Sequence, residues 1–317
     1  GPPVHGFIGA CYGGTGLMGE VPSRFMAPGE VELAIVGISQ DGGVPQAGCE
    51  CESCSSAILD PKLRLHPVSC AIRGSDGSLH IIEATRNLPE QLGIAASVLG
   101  LGRSSIPDTV CLTHAHLGHI DGLGQFGMES MGLSEVPLFA SNSVVRFLDS
   151  IGSLNPFQAK EVQTGASFFP SDGCGFQYTM IPVPHRDEFS DTHAIVVEGP
   201  NSKLLFLPDH DDWEQTLESA GFEGIREWLS SLDIDFALLD GTFWDSSELG
   251  GRDMSQIPHP TISETLKRIG NREEGDPEII FLHINHTNPV LDKESVQFGE
   301  VASKGWSVAE QGYSIVL

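Results

Sequence analysis

The stretch Asp108-Thr109-Val110-Cys111-Leu112-Thr113-His114-Ala115-His116-Leu117-Gly118-His119-Ile120-Asp121-Gly122 decides the fold. Asp108 to Leu112 has the apolar character of a short buried strand, and it runs directly into three histidines within six residues. His114 and His116 stand two apart, so an extended turn points both the same way, where neutral imidazoles can grip one metal ion. His119 opens a helix expected over Gly118–Met131 and can face a neighbouring position. The ends of buried strands are where layered α/β folds collect their chemistry.

Working outward, the same arrangement of apolar strand and then imidazole or carboxylate recurs. His185 follows a strand read over Gln177–Val183, Asp209 follows Leu204–Leu207, and His283 ends Glu278–Leu282. Any one of these alone is equally a capping or turn residue. Gathered in one pocket, they supply a nitrogen and oxygen set suited to zinc, iron or manganese. A second cluster, Cys49-Glu50-Cys51-Glu52-Ser53-Cys54, places three thiols in a tight loop, as a structural tetrahedral zinc requires. Its fourth ligand must come from elsewhere, and His286, three residues beyond His283, is the candidate. Cys11, Cys70, Cys111 and Cys174 belong to no motif and are expected to pack as small apolar residues.

Between these motifs, strands are expected at Val31–Ile38, Val68–Arg73, Leu79–Ile82, Val136–Ala140, Ala194–Glu198, Asp235–Leu239 and Tyr313–Val316. Helical spacing marks Leu88–Leu101, Val144–Ile151, Trp213–Leu229, Thr261–Ile269 and Lys293–Ser303. The interleaving, without a long linker, favours one layered α/β domain over residues 31–317 behind an irregular Gly- and Pro-rich lead-in over 1–30. The 317 residues carry 17 basic and 43 acidic side chains, a net charge of −26. That field repels phosphate backbones and attracts cations, so a nucleic-acid partner is not expected. No apolar run reaches the length of a membrane span, and residues 1–29 show no intact signal peptide. Seven cysteines, an odd count in a long chain, argue against a disulfide scaffold. Thiolates on zinc suit a reducing cytoplasm, with periplasmic or secreted locations left open.

His114-x-His116-x-x-His119, followed in order by His185, Asp209 and His283, resembles the metallo-β-lactamase superfamily, an αββα sandwich with a one- or two-metal site at the sheet edge. Within it the chain is similar to the pyrroloquinoline quinone biosynthesis protein B family. That likeness is carried by Gly37 to Gln46 with the cysteine loop, Leu239 to Trp244, His283-Ile284-Asn285-His286-Thr287-Asn288-Pro289, and Gly312 to Ile315. It departs from that family by keeping His114 and His116, and by His286 where members carry Asn. In these respects it looks more like the cyclic-phosphate phosphodiesterase of the phosphonate pathway, a resemblance that implies a structural zinc on Cys49, Cys51, Cys54 and His286.

The resemblance implies one metal position formed by His114, His116, His185 and Asp209, and a second by His119, His283 and a bridging Asp209. The superfamily places Asp immediately before the third His; Gly118 stands there, so the second position is expected to bind weakly or stay empty. Asp121, two residues past His119, is expected to face away. A metal so held makes hydroxide available near neutral pH and polarises a carbonyl or phosphoryl oxygen. Asp209 would orient the nucleophile, and His259 is the expected proton donor to the leaving group, with His193 and His210 as weaker candidates. The stretches Asp240 to Trp244 and Gln40 to Gln46 are expected to line the substrate pocket, with Asp240, Thr242, Trp244 and Gln46 singled out. The leading expectation is a metallo-hydrolase of a small ester, lactone or phosphodiester. The alternatives are a non-heme iron oxygenase acting on a tyrosine-derived or quinone precursor, and a zinc-stabilised binding protein whose catalytic site is disabled.

Overall fold

The computed structural model describes residues 29–102, 106–249 and 258–317, and in it two seven-stranded sheets lie face to face. The first holds β1 (Glu32–Gly37), β2 (Ser69–Arg73), β3 (Leu79–Ile82), β4 (Thr109–Cys111), β5 (Val136–Ala140), β6 (Phe157–Glu161) and the closing β14 (Ser314–Val316), in the order β14-β1-β2-β3-β4-β5-β6. The second holds β7 (Ser167–Phe168), β8 (Gln177–Val183), β9 (Thr192–Glu198), β10 (Lys203–Leu207), β11 (Phe236–Asp240), β12 (Glu278–Leu282) and β13 (Ser307–Val308), in the order β13-β12-β11-β10-β9-β8-β7.

Strand periodicity explains the layering. In β1, Leu33 and Ile35 face the core between the sheets, whereas Ala34 and Val36 face the helices outside. In β10, Leu204 and Phe206 point inward and Leu205 and Leu207 outward. Both faces are covered, which is why these strands read as continuous apolar runs rather than as alternation. Helices α1 (Glu52–Leu59) and α3 (Leu117–Ile120) sit at loops, while α2 (Leu88–Val98) and α4 (Asn142–Ser150) cover the first sheet. Helices α5 (Trp213–Ala220), α6 (Ile225–Ser231), α7 (Ile262–Ile269) and α8 (Val296–Ser303) cover the second, completing an αββα sandwich. Cys70, Cys111 and Cys174 pack in the inner core, and Cys11 and most of the lead-in lie outside the described residues.

Strands β3 to β6 run parallel, as do β10 to β13, so their C-terminal ends deliver side chains to a common edge. The chain segments after β1 and β12 meet there: Ser39 bridges both Pro67 and Ile284, and the Gln40 N–H donates to the Ile284 carbonyl at 2.9 Å. The helix expected over Gly118–Met131 is instead the single turn α3 followed by a 3-10 turn at Leu123–Phe126. The break falls at Gly122, where a Cβ would lie 2.7 Å from the Thr85 carbonyl carbon. The short strands β6, β7 and β13 were not expected from sequence; they are exposed or half-buried edge pieces with little apolar signal. No described helix is long and apolar enough to cross a membrane.

Candidate metal centre

His114 and His116 leave the end of β4, and α3 then turns His119 back onto them. From the second sheet come His185 after β8, Asp209 after β10 and His283 after β12. His283 is buried and adopts φ 61, a conformation costly for a side chain of this size, and the twist directs its ring at Asp209. His259 precedes α7, whose start is fixed by Thr261 accepting the Glu264 N–H and by the Phe243–Thr261 bridge.

Asp209 lies at the middle. Its Oδ1 faces His185 Nε2 at 3.7 Å and His259 Nδ1 at 3.5 Å. Its Oδ2 faces His119 Nε2 at 3.1 Å, His283 Nε2 at 3.5 Å and His114 Nε2 at 4.0 Å. His114 Nε2 and His116 Nδ1 approach to 2.9 Å, and their ligand atoms cluster with that of His185 within 4.8 Å. Asp41, on the loop after β1, joins from the other side: its Oδ1 is 3.3 Å from His119 Nε2 and 3.4 Å from His283 Nε2.

The opposite ring nitrogens are held from behind. Thr113 donates its hydroxyl to Glu83 and accepts from His114 Nδ1 at 2.8 Å. Thr242 donates to Asp240 at 2.7 Å and accepts from His283 Nδ1 at 2.8 Å. His185 Nδ1 donates to Asp211 at 3.2 Å, and His119 Nδ1 faces Glu83 at 3.4 Å. These supports fix the tautomers and turn the Nε2 atoms of His114, His119, His185 and His283 toward Asp209.

The donor set fits a divalent cation. Asp209 Oδ2 and His185 Nε2 are buried without a hydrogen-bond partner, which is costly unless another acceptor of their electron pairs is at hand. Burial pushes His114 well below the ordinary histidine range and His116 down to about 4, so both rings are neutral ligands at pH 7. Burial also opposes charge on His119, but Glu83, Asp209 and Asp41 together outweigh it and raise its pKa above the ordinary histidine range. The carboxylates therefore favour a positive charge at the place where Asp41 and Asp209 converge.

Asp240 and Thr242 are fully buried and act from behind the rings, and Trp244 packs into the core under the outer helices. Gln46 belongs to the cysteine loop, where its N–H donates to Cys54 Sγ at 3.3 Å. Asp121 pairs with Arg86 at 2.9 Å. His259 donates its Nδ1–H to Asp240 at 2.8 Å, whereas His193 is engaged by Thr164 and His210 by Thr216, away from Asp209. Glu83 and Asp211 escape the sequence reading, and Asp41 enters it only within the pocket-lining stretch Gln40 to Gln46 and not as a partner of His119 and His283, although Glu83 follows β3 as Asp209 follows β10. The signal was present, since a carboxylate just past an apolar strand is the rule that identified Asp209.

Cys49, Cys51, Cys54 and His286 form a separate group with all ligand atoms within 4.8 Å. His286 Nδ1 lies 3.4 Å from Cys49 Sγ and 3.3 Å from Cys51 Sγ, the donor set of a closed structural zinc site.

Residues 100–284 match the family model described as a beta-lactamase superfamily domain. The chain is 25% identical to coenzyme PQQ synthesis protein B of Methylobacterium sp. (strain 4-46), covering 90% of this chain and 100% of the relative. It is 26% identical to the protein of the same name from Ruegeria pomeroyi, at the same coverage. Among solved structures, the Zn(2+)-bound PqqB from Methylobacterium extorquens superposes with a TM-score of 0.68 at 20% identity, covering 90% of this chain and all of that one. A diphosphatase from the PhnP family superposes with a TM-score of 0.61 at 20% identity, over 91% and 97% of the two chains. A family match over more than half of the chain, on an αββα sandwich whose histidines converge at the sheet edge, shows that this protein belongs to the beta-lactamase superfamily, with the metallo-β-lactamase fold.

Proposed function

We propose that this protein is a metal-dependent hydrolase of a small ester, lactone or phosphodiester. The observation that carries the reading is Asp209, a buried carboxylate whose two oxygens face different sets of imidazoles and whose Oδ2 has no hydrogen-bond partner. Zinc, iron or manganese held there would supply metal-activated hydroxide near neutral pH and a Lewis acid for a carbonyl or phosphoryl oxygen. His114, His116, His185 and Asp209 are the residues to hold it. Asp240 fixes His259 through Nδ1, leaving that ring's other nitrogen to deliver a proton to the leaving group. Burial opposes charge on His259, but Asp240, Asp209 and Asp41 raise its pKa above the ordinary value, which suits an acid. Phe189, 47% exposed and edge-on to His116, offers an apolar rim for a small substrate.

The test is turnover of bis(4-nitrophenyl) phosphate, 4-nitrophenyl acetate and a γ-lactone by protein loaded in turn with zinc, manganese and ferrous iron. Hydrolysis of one substrate class that disappears in His185→Ala supports the reading. Similarity to coenzyme PQQ synthesis protein B over 90% of the chain favours a second reading, iron-dependent oxidation of a quinone-cofactor precursor. Oxygen uptake by the iron-loaded protein, with no hydrolysis in any metal form, would replace the first reading by the second.

A further inference from the structure

Gly118 leaves the turn before His119 without a donor, yet the space beside it is filled. A Cβ built on Gly118 would lie 2.5 Å from the Cβ of Asp41, and closer still to its Cγ and Oδ1. The Asp41 carboxylate thus occupies the volume that any side chain at 118 would need. One of its oxygens meets the same two nitrogens, His119 Nε2 and His283 Nε2, that Asp209 Oδ2 meets from the opposite side. Asp41, His119 and His283 gather their ligand atoms within 4.8 Å. The placement is built into the fold, because the Ser39–Ile284 bridge and the bonds from Gln40 to Ile284 and from Ile284 to Ile38 lock the loop of Asp41 against that of His283.

We propose that Asp41 is a ligand of a second metal ion, which it holds with His119, His283 and the bridging Asp209, and that Gly118 is the spacer that admits it. The carboxylate of the second position has been relocated from α3 to the loop after β1. The centre then holds two ions, the first between His114, His116, His185 and Asp209; the proposal rests on that reading of the centre. Two carboxylates and two imidazoles form a hard oxygen and nitrogen set, suited to zinc, manganese or iron.

Anomalous diffraction from zinc-loaded wild-type crystals is the first test. Two peaks are expected at the histidine cluster, one of them about 2.0–2.2 Å from an Asp41 oxygen. A single peak remote from Asp41 overturns the proposal and leaves the hydrolytic reading standing, whereas no peak at the cluster sinks both. Metal analysis of variants is the second test, with the cysteine loop contributing equally throughout. Asp41→Gly should lose one zinc per chain. The double variant Asp41→Gly/Gly118→Asp should regain it, since glycine at 41 clears the Cβ that would clash with a side chain at 118. Unchanged stoichiometry and affinity in Asp41→Gly, with its circular dichroism and melting preserved, overturns the proposal. If that variant does not fold, the wild-type anomalous map decides alone.

Discussion

Glu83 is the most informative perturbation outside the ligand set. It is fully buried, sits at φ 67 at the end of β3, and its carboxylate makes its contacts through one oxygen, Oε1. That oxygen accepts the Thr113 N–H at 3.2 Å and the Thr113 hydroxyl, and it faces His119 Nδ1 at 3.4 Å. Through Thr113 it also sets the tautomer of His114. Glu83→Gln can keep an oxygen for Thr113 but removes the negative charge behind His119. Outer carboxylates of this kind are worth about 10–100-fold in metal affinity, or about 1.4–2.7 kcal/mol. Glu83→Ala goes further, leaving the Thr113 N–H and O–H without their acceptor at about 1–3 kcal/mol each. Competition against a chelating dye measures the affinity, and urea unfolding separates it from global stability. Zinc affinity in Glu83→Gln indistinguishable from wild type, in a protein whose His119→Ala variant does lose metal, would refute the reasoning.

Three further outcomes are expected. His80 is buried between Ser78 and Thr109, and burial depresses its pKa from 6.5 to about 4. The unfolded chain then binds a proton that the fold refuses, so the stability from His80 is full above pH 6.5 and is lost as pH falls toward 4. The loss should be about 2 kcal/mol by pH 5 and about 3 kcal/mol in all. Urea unfolding at pH 7 and pH 5 should show that slope reduced by this amount in His80→Gln, and an unchanged slope would count against it. At the cysteine loop, Cys51→Ser should cost one zinc and lower Tm by about 5 °C or more in a thermal melt. Zinc retention there should weaken on acidification, because the ion must displace thiol protons and burial holds the Cys54 thiol up at about 12. Finally, His259→Ala should lower kcat by about 10²–10⁴-fold in steady-state assays at unchanged metal content; retained kcat would remove His259 as the acid.

Much of this architecture is legible in the residue pattern because both sheets are covered on both faces. Runs such as Leu204–Leu207 and Glu278–Leu282 announce themselves by apolar content, and their first polar successors fall at the common edge. What stays hidden is whatever depends on contacts distant in sequence. Asp41 meets His283 only because two loops pair across the gap between the sheets, and Glu83 matters only because β3 lies beside β4. Trp244 follows a strand end like a pocket residue, yet its ring turns into the outer core. The helix expected after Gly118 gives way at Gly122, whose N–H donates to the Ala84 carbonyl at 2.8 Å and whose missing side chain leaves room for the Thr85 carbonyl, a long-range contact that periodicity does not register.

The meeting of the loops after β1 and β12 also has a mechanical consequence. His114, His116 and His119 ride on one sheet, while His185, Asp209 and His283 ride on the other, so any cation they share clasps the two halves of the sandwich like a rivet. Its binding energy adds to the cohesion of the interior between the sheets and grows with metal concentration by mass action. Amides deep in β3, β4, β10 and β12, far from solvent and from the rim, should exchange their hydrogens more slowly once the clasp is closed.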